Sequence, residues 1–362
     1  MTVMLNNPVT ESINLMPDPE TIWLRTGRHP MTGSIAGILD RHDVSTSVEP
    51  PVIAFSGGAD SLCMLLVASA IRRRHSVAPP LAVHVDHGLR AGSEEDADFC
   101  ECFCKLMDLP FQCARLDLDP DSGNVHDMAR RARYEVLTEQ ARSSGSVHVL
   151  TGHHADDQLE TMLMNISRGC LPSATAGMPQ NRPLDDHGTM LLRPLLAVPR
   201  LGIEQFCTEC EVSFRTDPSN SDPSSPRTRL RHEVLPVLEQ LWPGAASRAS
   251  MAAEGLRVGE RLFQQHVVRL FGSAGARSWS RHVLAHSEIP VIIAGLLRSL
   301  RTTAQADPSR TRLRDVAVAI RSDDRTPRQF PLGSGRTCIV TASRVIMQEE
   351  SLTDKAVDDV GS

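Results

Sequence analysis

Val52-Ile53-Ala54-Phe55-Ser56-Gly57-Gly58-Ala59-Asp60-Ser61 is the stretch on which the reading of this 362-residue chain turns. Its first four residues form an apolar run with the length of a buried strand, and the residues from Ser61 to about Arg73 predict a helix. A glycine turn joins the two. Backbone N–H groups can wrap around phosphate oxygens only where no side chain intervenes, which explains Gly57 and Gly58. The following helix points its partially positive N-terminus at the same anion. Ser56, Ala59 and Ser61 complete the loop, the two hydroxyls adding donors. A carboxylate does not bind phosphate directly, so Asp60 is read as holding a Mg²⁺ ion that bridges to the phosphates. The chain has no GxxxxGK[ST] and therefore no Walker lysine, which disfavours γ-phosphate transfer. A merely structural glycine turn would need neither the serines nor the aspartate.

Outward from this loop, short apolar runs alternate with amphipathic ones as far as Asp157. Strands are expected at Leu81 to Val85, Phe111 to Leu116 and Val147 to Leu150. Helices are expected at Glu94 to Met107, with Ser93 as cap, at Val125 to Arg142 and at Ala155 to Arg168. Such alternation predicts an α/β fold, a parallel sheet with helices on both faces, whose ligands bind beyond the carboxyl ends of the strands. A Pro/Ser/Gly-rich loop to about Asp186 precedes a strand at Met190 to Leu195 and a helix at Arg200 to Val212. The Asp217 to Pro226 run is too polar and broken for regular structure. Beyond it the signals are mainly helical, with a kink expected at Pro236 and a β-hairpin at Gln329 to Met347. The expected domains are an N-terminal extension (1–48), a catalytic domain (49–226) and a helical, Arg-rich appendage (227–362).

Charge divides the chain in the same place. The net charge is −6, yet Arg227 to Arg344 holds 19 arginines against 9 acidic residues. An acidic body with a basic C-terminal third points to a polyanionic partner such as RNA. No apolar stretch is long enough for a membrane span, and the first thirty residues resemble neither a secretory signal nor a transit peptide, so a cytoplasmic location is expected. The nine cysteines form no disulfide framework. Cys207-Thr208-Glu209-Cys210 is a lone CxxC, read as part of an amphipathic helix.

Three more segments carry chemistry. His84-Val85-Asp86-His87-Gly88-Leu89-Arg90 ends the second strand, and Gly152-His153-His154-Ala155-Asp156-Asp157-Gln158-Leu159-Glu160-Thr161 ends the fourth. Asp157 and Glu160 are spaced i, i+3 and share a helix face, where they could hold a metal or bind an amine. Ala129-Arg130-Arg131-Ala132-Arg133-Tyr134 sets arginines beside the only tyrosine, a pattern suited either to a solvated face or to a phosphate and nucleobase. The His/Asp density alone would suit a two-metal phosphohydrolase, but that leaves the glycine loop without a task.

Together these four segments resemble the tRNA(Ile)-lysidine synthetases, a branch of the pyrophosphate-loop ATPases. Arg193-Pro194-Leu195-Leu196, Asp217-Pro218-Ser219-Asn220 and Arg227-Thr228-Arg229-Leu230-Arg231 fit the same family, in order from about Val52 to Leu238. The glycine loop indicates only the superfamily; the other segments are more specific. The resemblance implies an adenine nucleotide alpha hydrolase-like fold. It also implies an ATP- and Mg²⁺-dependent ligation of free L-lysine to C2 of the wobble cytidine of a CAU-anticodon tRNA(Ile), through an adenylated tRNA. Asp60, Arg133, His153, His154, Asp157 and Glu160 would then be catalytic, while His87, Arg90, Arg130, Arg133, Tyr134, Asp157, Glu160, Arg229 and Arg231 would meet tRNA or lysine. A tRNA thiolase using Cys207 and Cys210 is the alternative within the superfamily. The residues leave the oligomeric state open, a homodimer included.

Overall fold

Period-two alternation along the short strands decides which side chains meet which helices. The structure, a computed structural model, describes residues 12–88, 92–116, 125–169, 175–215, 225–273, 275–300, 309–333 and 335–349. The chain divides into two compact units, Met1–Leu256 and Arg257–Ser362. Residues 227–256, expected to open the appendage, fall in the first.

The first unit opens with helices α1 (Pro19–Arg28) and α2 (Pro30–Asp40). Then come β1 (Val52–Ala54), α3 (Ala59–Arg74), β2 (Leu81–Asp86), α4 (Ser93–Leu106), β3 (Phe111–Arg115), α5 (Val125–Ser143), β4 (His148–Leu150) and α6 (Ala155–Ser167). β5 (Asn181–Pro183), β6 (Met190–Leu192) and α7 (Arg200–Glu209) follow. The sheet order is β3-β2-β1-β4-β6-β5, parallel except for β5, which pairs antiparallel with β6. β5 lies in the segment read from the sequence as loop, because three residues with one Pro carry too little pattern to be seen. Before α4, the expected cap Ser93 is instead the first helical residue; Gly92, at φ +91°, makes the turn.

Val52, Val83, Val149 and Leu191 face α5 and close a small core with Tyr134, Leu137 and Ala141. Their neighbours in sequence, Ile53, Ala82, Leu150 and Leu192, face the opposite side and join the main core with α3, α4 and α7. On that side α1 and α2 pack over α3, so every residue from Ser61 to Arg72 is buried, while Asp60 stays partly exposed at the helix's start. The N-terminal extension is therefore a third layer of this unit. Arg72, fully buried, ties it down by donating to the carbonyls of Val44 (2.6 Å), Ser47 (2.9 Å) and Ala78 (2.6 Å).

Past α7 the chain forms α8 (Pro226–Arg229), a wider turn at Leu230–Val234 in which the Leu235 N–H reaches the Leu230 carbonyl, and α9 (Leu235–Leu241). Pro236 lacks an N–H and crowds the preceding turn; the wider turn absorbs it where a kink was expected. α10 (Ala245–Phe271) contains the division between units. The second unit continues with β7 (Ser278–Ser280), α11 (Arg281–Ala285), α12 (Ile289–Leu300), α13 (Arg310–Arg321), β8 (Arg328–Gly333), β9 (Arg336–Val340) and β10 (Arg344–Glu349). The expected hairpin is present as β8 and β9, within an antiparallel sheet ordered β7-β10-β9-β8. Arg281, 1% exposed, donates to the carbonyls of Ala319, Ile320, Ser322, Asp324 and Thr341. One cation thus satisfies the orphan carbonyls at the end of α13, where the helix is partially negative.

Because Leu39 on α2 is fully buried in the main core, Leu39→Ala is expected to destabilise the protein by about 2–5 kcal/mol. Urea unfolding of the full chain checks this; an unchanged midpoint would mean that the N-terminal layer is dispensable.

Candidate active site

The loop after β1 is closed on itself. The Ser56 N–H donates to Ser61 Oγ (3.1 Å), which donates to the Gly58 carbonyl (3.0 Å). Gly57 has φ +79°, a conformation that disfavours any side chain. Gly58 precedes α3 without a side-chain cap, which leaves the first N–H groups of the helix to an anion. From below, the end of β4 presses on the loop. A Cβ on Gly152 would stand 2.6 Å from the Asp60 carbonyl oxygen and 2.9 Å from the Ser61 nitrogen. From above, the Arg215 N–H donates to the Gly57 carbonyl (2.9 Å), while its guanidinium holds Glu95 and Asp96 on α4.

His154, at the start of α6 and 1% exposed, joins this loop to the acid pair. Its Nε2 lies 3.6 Å from Asp60 Oδ2 and 3.4 Å from Asp157 Oδ2, and its Nδ1 is 3.5 Å from Asp156. Burial opposes a charge on this ring, but Asp156, Asp157 and Asp60 outweigh it and raise the pKa. Burial likewise pushes the Asp60 carboxyl up, against the pull of His154. Asp60 Oδ1 is buried without a hydrogen-bond partner. An orphaned hard oxygen in the first turn of the helix that follows the glycine loop fits a Mg²⁺ ligand.

Asp157 and Glu160 do lie together, with Glu160 completely buried. Two guanidinium groups already engage them. Arg227 donates from Nε to Glu160 Oε2 (2.7 Å) and from Nη2 to Asp157 Oδ1 (2.9 Å). Arg231 donates from Nε to Glu160 Oε1 (2.7 Å) and from Nη2 to Asp157 Oδ1 (2.9 Å). Burial would raise the Asp157 pKa, but His154, His153 and both arginines hold it well below the usual range. Arg229, between the two, turns outward to Glu233. His153 Nδ1 sits 2.8 Å from Thr151 Oγ1; burial first, then Arg193, Arg133 and Arg130, bring its pKa down to about 3, so the ring is neutral. Gln158 holds the 176–178 segment, its Oε1 accepting from the Met178 N–H (2.7 Å).

Tyr134 carries Arg130 and Arg133 on its ring, a contact the sequence did not specify. His87 lies near them; burial and then Arg133 lower its pKa. Arg90 and Asp217 to Asn220 lie outside the described residues. Cys207 and Cys210 are fully buried, and burial pushes the Cys207 thiol up to about 12. A protonated thiol in an apolar core is a poor sulfur carrier. Among the described residues no three His, Cys, Asp or Glu side chains gather as a metal centre.

A family model described as the PP-loop domain matches residues 36–238. The chain belongs to the PP-loop family. This PP-loop chain is 40% identical over 206 residues to the tRNA(Ile)-lysidine synthase of Salinispora arenicola, covering 56% of the chain and 61% of that protein. It is 38% identical over 212 residues to the protein of that name from Rhodopseudomonas palustris, covering 58% and 60%. With the Geobacillus kaustophilus protein of that name it shares 32% over 240 residues, covering 65% and 51%. The matches thus span between half and two thirds of these relatives' length. In fold it is similar to the U34-tRNA thiolase NcsA from Methanococcus maripaludis, with a TM-score of 0.53 and 18% identity over 62% of this chain and 78% of that one.

Arg227, Gly152 and Arg215 stand in the site although the sequence reading did not single them out as site residues. The i, i+4 spacing of Arg227 and Arg231 was the available signal: it sets both on one face, with Arg229 opposite. Gly152 and Arg215 gave none, since only the folded loop makes their positions tight.

Gly152→Ala is expected to cost about 1–3 kcal/mol by overpacking and to speed amide exchange in residues 56–61, read by mass spectrometry. Arg231→Met, which leaves a buried carboxylate pair one cation short, is expected to cost about 3 kcal/mol. Arg229→Met should leave the urea midpoint where it is; equal losses from both would disprove the difference in role.

Proposed function

We propose that the chain ligates L-lysine to C2 of the wobble cytidine of a CAU-anticodon tRNA(Ile), consuming ATP in the cytoplasm and releasing AMP and pyrophosphate. The product, lysidine, pairs with A and moves the codon read from AUG to AUA. The observation that carries this reading is His154, which contacts both Asp60 at the glycine loop and Asp157 of the acid pair. A nucleotide-phosphate cradle and a cation-binding acid pair thereby form one site.

In the first step the cytidine O2 attacks the α-phosphorus of ATP, the bond to the β-phosphate oxygen breaks, and pyrophosphate leaves. The uncapped N-terminus of α3 and the backbone of Ser56 to Ser61 face the developing phosphate charge. Mg²⁺, held by Asp60, would supply charge neutralisation there. In the second step the lysine ε-amine attacks C2, AMP leaves with the O2 electrons, and the nitrogen loses a proton. Asp157 and Glu160 bind the lysine cation by exchange with one of the two guanidinium groups they hold, an equilibrium between like-charged partners. His153, neutral and beside Arg133, positions the cytosine and its phosphate. The relatives named tRNA(Ile)-lysidine synthase support the substrate assignment.

The test is incubation of the full chain with ATP, Mg²⁺, radiolabelled lysine and tRNA(Ile) transcripts bearing CAU or UAU anticodons. Lysine is expected on the CAU transcript alone. Asp60→Ala should slow pyrophosphate release roughly 100-fold or more. Glu160→Gln should still release pyrophosphate yet transfer little lysine. AMP formed with no lysine transferred would move the acceptor elsewhere and defeat this reading.

A further inference from the structure

Four arginines converge on Tyr134, two from its own helix and two, Arg182 and Arg193, from elsewhere in the chain. The guanidinium carbons of Arg182, Arg130 and Arg133 lie 4.9, 5.2 and 5.5 Å from the ring centroid. Arg193, 2% exposed, follows directly on β6; its Nη1 donates to the Pro179 carbonyl (2.7 Å), and its Nε is buried without a partner. Nearby arginines of this unit are paired: Arg142 with Asp185, and Arg227 and Arg231 with the acid pair. Among the described residues none of the four around Tyr134 has a carboxylate partner. Unscreened guanidinium groups repel one another in a partly buried site, and the ring's negative faces offset that only in part. Such a cluster is complete only with an anion.

We propose that Arg182 and Arg193, with Arg130 and Arg133, form an anion site on Tyr134 that takes an RNA phosphodiester next to the nucleotide being modified. This rests on the RNA-acceptor reading above. Two observations favour the RNA backbone over the phosphates of ATP. Arg182 stands on the edge strand β5, three strands from β1 and its loop, about 14 Å at the usual strand spacing. On the other side the cluster borders His153, whose imidazole Arg193, Arg133 and Arg130 help to keep neutral. The site therefore lies beside the acid-pair side of the pocket, away from the glycine loop. Tyr134 sets the spacing: its buried ring holds the planar guanidinium groups in place, so less freedom is lost when their N–H donors meet phosphate oxygens.

The experiment uses the full chain and measures tRNA(Ile) binding against salt for the CAU and UAU transcripts, with ATP binding measured separately without RNA. Arg182→Ala is expected to weaken both transcripts by the same factor, roughly tenfold, and to reduce the slope of log K against log salt by about 0.7–0.9. ATP affinity should not change. Arg182→Lys should restore most of the salt slope but not all the affinity, since an ammonium neither stacks nor forks. A normal thermal melt shows that the variants are folded; if Arg182→Ala melts early, Arg182→Lys and Arg182→Gln, compared with each other, give the same reading. An unchanged slope in the neutral variant overturns the site even if the chain makes lysidine. Lower ATP affinity with RNA binding intact reassigns the anion to the nucleotide and also overturns it. A wild-type chain that binds both transcripts without transferring lysine would defeat the lysidine reading, and a slope lost in Arg182→Ala would still uphold this site.

Discussion

Burying a carboxylate as deeply as that of Glu160 is costly unless cations lie against it. Much of the site's arrangement follows from that constraint. Glu160 and Asp157 share one face of α6, and the chain returns after α7 to place Arg227 and Arg231 there. Asp157 in turn reaches back to the backbone and ring of His154, and His154 reaches Asp60 at the glycine loop. The charges form one chain of contacts from the glycine loop to the acid pair and its two arginines.

The parallel sheet makes this possible. β1 and β4 are neighbours, so the turns at their carboxyl ends lie side by side, close enough for Gly152 to touch the backbone of Asp60. Strands thus bring together two loops separated by about ninety residues in sequence, as open α/β sheets do at the point where strand order reverses. The thick apolar side of the sheet, with α3, α4 and α7 and the N-terminal helices above them, makes the loop's foundation stiff. The other side carries α5, and the arginines and tyrosine of that helix reach toward the site.

Several elements could be read directly from the residues. The strand, glycine turn and helix at Val52 to Arg74 have a local grammar: an apolar run, two residues without side chains, then helical periodicity. Asp157 and Glu160 could be placed on one face because i, i+3 spacing fixes it. β5 was missed because a three-residue edge strand containing Pro183 has no period to detect. The packing role of α1 and α2 was missed because two short helices look like any amphipathic appendage until α3 is seen to be buried on all sides from Ser61 to Arg72. Arg182 and Arg193 were not linked to Tyr134, since the contacts join residues about fifty positions apart.

Sequence alone determined the fold class, the glycine loop between strand and helix, the acid pair on one helix face and the arginine-rich helix that carries the only tyrosine. These depend on spacings of a few residues, which backbone geometry converts into shared faces and turns. The tertiary structure decided which cations sit on which anions. It gave the acid pair to Arg227 and Arg231, turned Arg229 away, and gathered four arginines around Tyr134 with no carboxylate partner among the described residues. Coulomb interactions depend on distance and burial, and neither is encoded in the spacing of residues that meet only after the sheet has formed.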